Sequence, residues 1–215
     1  MTERPKRPTR ARAPRPRDRE ATHLSIVDAA CETLAREGFA SFGINEIARR
    51  ARCDKQLIYR YFGGLDGLVD AVGERVAQQI TQALEAQATP RRGGSYAALA
   101  ETLLLALLEV FRTNALLRQI TAWELADRSA LVERLVVARS RPLQAWTARL
   151  FEGTAPPRGV DAGATNALLI GAVQQLALGA AGTGKYSGMS LKSEADWERA
   201  RTAVAALVRR AYAPD

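Results

Sequence analysis

Apolar residues recur along this chain at spacings of three and four, the period of one buried helix face. Val27, Cys31 and Leu34 mark the inner side of a helix from about Thr22 to Glu37. Gly38 stands where a left-handed residue would end that helix, and Phe39 can make the accompanying apolar contact. Ile44, Ile47, Ala48 and Ala51 fall at i, i+3, i+4 and i+7, which gives a second, very short helix. Asp54 then supplies an N-cap for a third, with Ile58 and Phe62 turned inward. After Gly63-Gly64, the residues Leu65, Leu68, Val69, Val72, Val76, Ile80 and Leu84 trace a single stripe to about Gln87.

Pro90 and Gly93-Gly94 interrupt the pattern. Helices are predicted beyond them over 95–112, 115–126, 130–151, 161–181 and 193–212. The first of these is apolar nearly all round, hence central, and Pro142 should kink or restart the third. No segment alternates apolar and polar residues between turn signals, so no strand is expected. The fold class is all-α, with a basic arm (1–21), a three-helix head (22–68) and a C-terminal helical bundle (69–215).

The outer side of the third helix carries Lys55, Gln56, Tyr59 and Arg60. A short helix with donors outside and apolar anchors inside has the shape of a major-groove reader. A helical hairpin inside an ordinary bundle is the plain alternative, but it has no use for so many polar groups on so short a helix. The stretch 38–62 resembles the helix-turn-helix head of the tetracycline-repressor (TetR) family of bacterial regulators. The resemblance rests on Ile26-Val27-Asp28-Ala29-Ala30, Gly38-Phe39, Glu46-Ile47-Ala48, Leu57-Ile58-Tyr59-Arg60-Tyr61-Phe62, and Asp66 with Leu68. It covers about residues 22–70; from there on only length and helical character agree.

Carried over residue by residue, the resemblance makes Asn45, Lys55, Gln56, Leu57 and Arg60 candidates for base contacts, with Tyr59 and Tyr61 on phosphates. The chemistry agrees: Gln bonds adenine bidentately, Arg or Lys bonds guanine, and Leu can touch a thymine methyl. Phe42 and Gly43 stand where the family usually has hydroxyl residues, and Gly43 can still offer its N–H to a phosphate. Arg52 replaces a usual glycine and Leu65 a usual lysine.

Charge is unevenly placed within a net of +8. Residues 1–21 carry eight basic and three acidic groups, or +5, whereas residues 22–68 carry six of each. The arm therefore attracts a polyanion more than the reading head does. With four prolines and almost nothing apolar, it should be disordered in isolation. Its Arg15-Pro16-Arg17 could thread a minor groove or simply raise non-specific affinity.

No catalytic or metal site is visible. His23 is the only histidine, and no acidic pair suggests an acid/base couple. Gly179-x4-Gly184-Lys185 imitates a phosphate loop, but Tyr186 follows where Ser or Thr is needed and no strand precedes it, so 182–188 reads as a loop. Cys31 and Cys53 lack CxxC spacing and are expected reduced, with Cys31 in the core. The apolar run 103–108 is far short of a membrane span, and no signal-peptide pattern follows the basic arm. These features predict a cytoplasmic protein without cofactor, metal or enzymatic activity.

The Ala- and Gly-rich segment 168–179, with Trp197, Val204, Leu207, Val208 and Tyr212, offers either a dimer face or packing within one subunit. Gln119, Trp123, Trp146 and Gln174 lie on otherwise apolar helices; in the family such groups often line an effector pocket, and as core or interface residues they need no ligand. The reading is a homodimeric, ligand-responsive repressor of a palindromic double-stranded operator. A sequence-tolerant chromosome-binding protein driven by the arm is the alternative.

Overall fold

The computed structural model describes residues 16–87 and 94–213. Helix α1 (Pro16–Glu37) begins six residues before the expected Thr22. Proline is tolerated in a first turn because its missing N–H would have no helical partner there. The end of the expected arm is thus helical, and residues 1–15 lie outside the described residues. Val27, Cys31 and Leu34 are buried as the periodicity predicts. Gly38 has the expected positive φ of 71°, but its ψ of −167° lies outside the left-handed helical region, in territory that essentially only glycine reaches.

A single turn of 3-10 helix (Phe39–Ser41) leads into α2 (Ile44–Arg50), and α3 (Lys55–Phe62) comes next. Asp54 caps α3 as predicted, its carboxylate accepting from the Gln56 N–H at 2.8 Å. Gly63 ends α3 in the left-handed conformation, φ 74°. Ile58, fully buried, pins α3 to the rest of the head; truncating it to Ala would cost about 2–5 kcal/mol.

Helix α4 (Leu65–Gln87) buries the predicted stripe and joins head to body. The body holds α5 (Tyr96–Thr113), α6 (Ala115–Ala126), α7 (Ala130–Leu150), α8 (Ala162–Thr183) and α9 (Glu194–Ala211). Side chains of Ser95, Asn114, Asp161 and Ser193 cap four of these. Helix α5 is central, packing on α4, α6, α8 and α9. One buried cluster extends from Ile26 in α1 to Tyr212 after α9, so head and body share a core.

Helix α7 runs unbroken through Pro142, so the chain does not restart there. It lies along α4 in the same direction: Arg134 meets Asp70, and further along Trp146 meets Glu85. At Gly73 the two helices are so close that a Cβ would stand 2.6 Å from that of Ala138. Contacts on both sides of the proline hold the helix against its one lost hydrogen bond.

One further expectation is corrected, and one open alternative is decided for α9. The 182–188 loop contains a small antiparallel hairpin, β1 (Lys185–Tyr186) with β2 (Met189–Ser190), turning at Ser187 and Gly188, which both have positive φ. The apolar side of α9 does not face outward: Trp197, Val204, Val208 and Tyr212 are buried within the subunit. Only Leu207, 53% exposed, remains on its surface side. Helix α8 is the opposite case, with only Val173 and Ala177 buried along its length. Its length and mean hydropathy of 1.3 would suffice to cross a membrane, although no long apolar run exists in it. Leu168, Leu169, Ile170, Val173, Leu176 and Leu178 supply most of that mean, and glycines and two glutamines interrupt them.

Candidate nucleic-acid interface

The second turn of the head presents a compact polar surface. Lys55, Gln56, Tyr59 and Arg60 are all exposed on one side of α3, while Ile58 on the other is sealed. Asn45 at the start of α2 is exposed beside them in sequence order, and Gly43 N-caps α2 with open space around its Cα. No side chain caps α2, so its first N–H groups are left for another acceptor. Leu57 and Tyr61 are half-buried and pack against the core, which leaves each only part of its surface for contact. The Arg60 guanidinium stacks over the Tyr61 ring at 5.3 Å, and Tyr61 stands edge-on to His23.

Other charges of the head are already engaged. Arg50 bonds Glu37 at the end of α1 and Glu46 within α2, and Glu46 also holds Arg49. These guanidinium groups, that of Arg49 foremost, lower the Glu46 carboxyl below the usual carboxylate range. The Arg50 contact fixes α2 to α1, and nothing in local spacing announces it. Arg52 occupies the turn with φ 53°, the left-handed conformation that favours the glycine usual there. An L side chain in it costs about 1–2 kcal/mol. Cys31 is buried, which pushes its thiol up to about 12, with Asp28 adding to the shift.

The effector-pocket candidates are dispersed. Trp123 lies against Gly38 and donates its Nε1–H to the Ala35 carbonyl at 3.2 Å. Trp146 donates to Glu85 at 2.8 Å, Gln119 is exposed, and Gln174 is half-buried on α8. An open cleft of about 1050 Å3 lies instead between α1, α4 and α7. Leu24, Val27, Asp70, Arg75, Arg134 and Val137 are among its walls, and none of the four candidates is.

Comparison with known proteins agrees with this geometry. The family described as bacterial regulatory proteins, tetR family, matches residues 26–72. The HTH-type transcriptional repressor Rv3405c of Mycobacterium tuberculosis is 34% identical over 82 residues, 38% of this chain and 44% of that protein. The HTH-type transcriptional repressor SCO4008 of Streptomyces coelicolor is 46% identical over 59 residues, 27% of this chain and 31% of that protein. Each match therefore spans less than half the length of the curated relative. The crystal structure of a TetR family transcription regulator from Marinobacter aquaeolei VT8 superposes with a TM-score of 0.58 at 15% identity, covering 91% of this chain and 97% of that one. The likeness in fold thus extends over the body, where likeness in sequence does not. Residues 26–72 thus form a domain that matches the tetR family of bacterial regulatory proteins.

Proposed function

We propose that the protein is a transcriptional repressor that binds a palindromic operator as a homodimer and responds to a small molecule. The observation that carries this reading is the exposed row Lys55, Gln56, Tyr59 and Arg60 on a helix anchored by the fully buried Ile58. Helix α3 enters the major groove; Gln56, Arg60 and Lys55 read base edges together with Asn45 and Leu57. Tyr59, Tyr61 and the Gly43 N–H hold phosphates. Residues 1–15 carry six basic groups and one acidic, and they add attraction for any DNA.

A palindrome needs two heads related by a two-fold axis. The surface that supports such a dimer is α8, where Leu168 is 77% exposed and Gly171, Ala172 and Gln175 are exposed beside it, with Leu207 of α9. Ala177, by contrast, is buried within the subunit and takes no part. Response to an effector is supported by the cleft between α1, α4 and α7, which touches both head and body. An apolar or amphipathic molecule suits such mixed walls. Action on DNA places the protein in the cytoplasm.

Selection of bound sequences from a random DNA pool tests the central claim. The expected product is an inverted repeat with half-sites about one helical turn apart. Retention of DNA without enrichment of any sequence would instead establish sequence-tolerant binding.

A further inference from the structure

The end of α1 is completed by a residue from the body. The carbonyls of a helix's last turn have no partner within the helix. Here that of Ala35 is bonded by the indole N–H of Trp123, 88 positions further along the chain. The same indole covers Gly38: a Cβ built there would stand 2.7, 2.8 and 2.9 Å from Cδ2, Cε3 and Cε2 of the ring. Three ring atoms at nearly equal distance mean that the Gly38 backbone sits on the face of the indole. Its φ of 71° and ψ of −167° and this close approach both require glycine.

The reading helices begin just past Gly38. Only Phe39–Ser41, Phe42 and the N-cap Gly43 separate it from α2, and Phe39 and Phe42 are buried. The direction in which the chain leaves Gly38 therefore decides where α2 and α3 lie. Trp123 is itself braced by its neighbour, since Glu124 pairs with Arg139 of α7, the two side chains only 8% and 16% exposed. Helix α7 in turn abuts α4 at Gly73.

We propose that Trp123 is a positioning residue for DNA recognition, setting the exit of the chain at Gly38 and so the placing of α3 in the groove. The proposal rests on the DNA-binding function proposed for α3. Trp123→Ala should weaken binding to the selected operator at least about tenfold, the size of one lost base contact, and leave affinity for random DNA within about twofold, because phosphate attraction does not need the same placing. Trp123→Phe keeps an aromatic face and loses only the bond to Ala35, so an intermediate loss, about three- to fivefold, is expected; it carries the test if the alanine variant does not fold.

Fluorescence supplies a readout that plain destabilisation would not move. The chain has three tryptophans, and Trp123 is 37% exposed whereas Trp197 is 5% exposed. Operator DNA should change acrylamide quenching of the wild-type protein, and Trp123→Phe should abolish that change. Wild-type operator affinity in both variants would overturn the proposal, as would equal losses on operator and random DNA. Failure of the wild-type protein to prefer any selected sequence is a different result: it would remove the DNA-reading function itself, and this inference with it.

Discussion

Arg134 of α7 grips Asp70 of α4 with two parallel bonds, Nε to Oδ1 at 2.8 Å and an Nη to Oδ2 at 2.6 Å, and reaches Asp66 one turn earlier at 3.1 Å. Body and head are thereby joined at the first turns of α4. All three side chains are substantially exposed, so salt screens the cluster. Arg134→Gln should lower the melting temperature at low ionic strength, and the difference from wild type should vanish near 1 M salt, where the Debye length is about 3 Å. A difference that persists at high salt would mean packing, not charge, was lost.

Base contacts and phosphate contacts predict different losses. Gln56→Ala or Arg60→Ala should cost about 1–3 kcal/mol on the selected operator and little on random DNA. Equilibrium binding to both DNAs, at fixed salt, decides; equal losses would reassign the residue to the backbone.

Arg52 sits in a conformation that suits glycine. Arg52→Gly relieves about 1–2 kcal/mol of backbone strain and adds about 0.5–1 kcal/mol of chain entropy to be lost on folding. A net gain between zero and about 1.5 kcal/mol is expected, at about 2–4 °C in melting temperature per kcal/mol for a chain this size. A drop in melting temperature would show that the arginine side chain has a stabilising contact elsewhere.

Acid should loosen α9 first. Asp196 accepts from the backbone N–H of Ser193, the Ser190 hydroxyl and the Lys192 N–H, which holds its carboxyl down at about 2. Arg112 and Arg201 hold Glu194 likewise at about 2. Both folded values lie below those of an unfolded carboxylate, so their contribution is complete above about pH 4–5. It is lost as pH falls toward about 2. Asp196→Asn should melt lower than wild type at pH 7 and lose less on going from pH 5 to 2. Parallel acid limbs for the two proteins would contradict this.

Glu124 and Arg139 form a pair largely shut off from water. Removing one partner strands the other, and Glu124→Ala should cost on the order of 3 kcal/mol. The double variant Glu124→Leu with Arg139→Met, apolar at both positions, should recover most of that loss. Denaturant unfolding measures both; a double variant as weak as the single one would exclude a stranded charge as the cause.

The head is legible in the sequence because its signals are local. Asp54, Gly38 and the stripe on α4 each act within a few residues, and the cap, the turn and the buried side result. The features that sequence does not reveal depend on distant contacts. Periodicity shows that α9 has an apolar side but not that its own subunit covers it, because an apolar stripe looks alike against either neighbour. Pro142 reads as a break until α4 lies along both sides of it. The hairpin leaves one signal, Ser187-Gly188 between Tyr186 and Met189, too short to count as alternation. The partner of Trp123 leaves none: its indole reads as a candidate pocket wall, whereas in the structure it caps the end of α1.

The homodimer proposed through α8 would make stability a matter of concentration. There a second copy covers a helix that its own chain buries at only two positions, and the free energy of that step depends on protomer concentration by mass action. Tenfold dilution then lowers both the melting temperature and the fraction of chains able to span two half-sites. A regulator built this way would measure its own abundance, occupying its operator steeply only once synthesis has passed the dissociation constant of the pair.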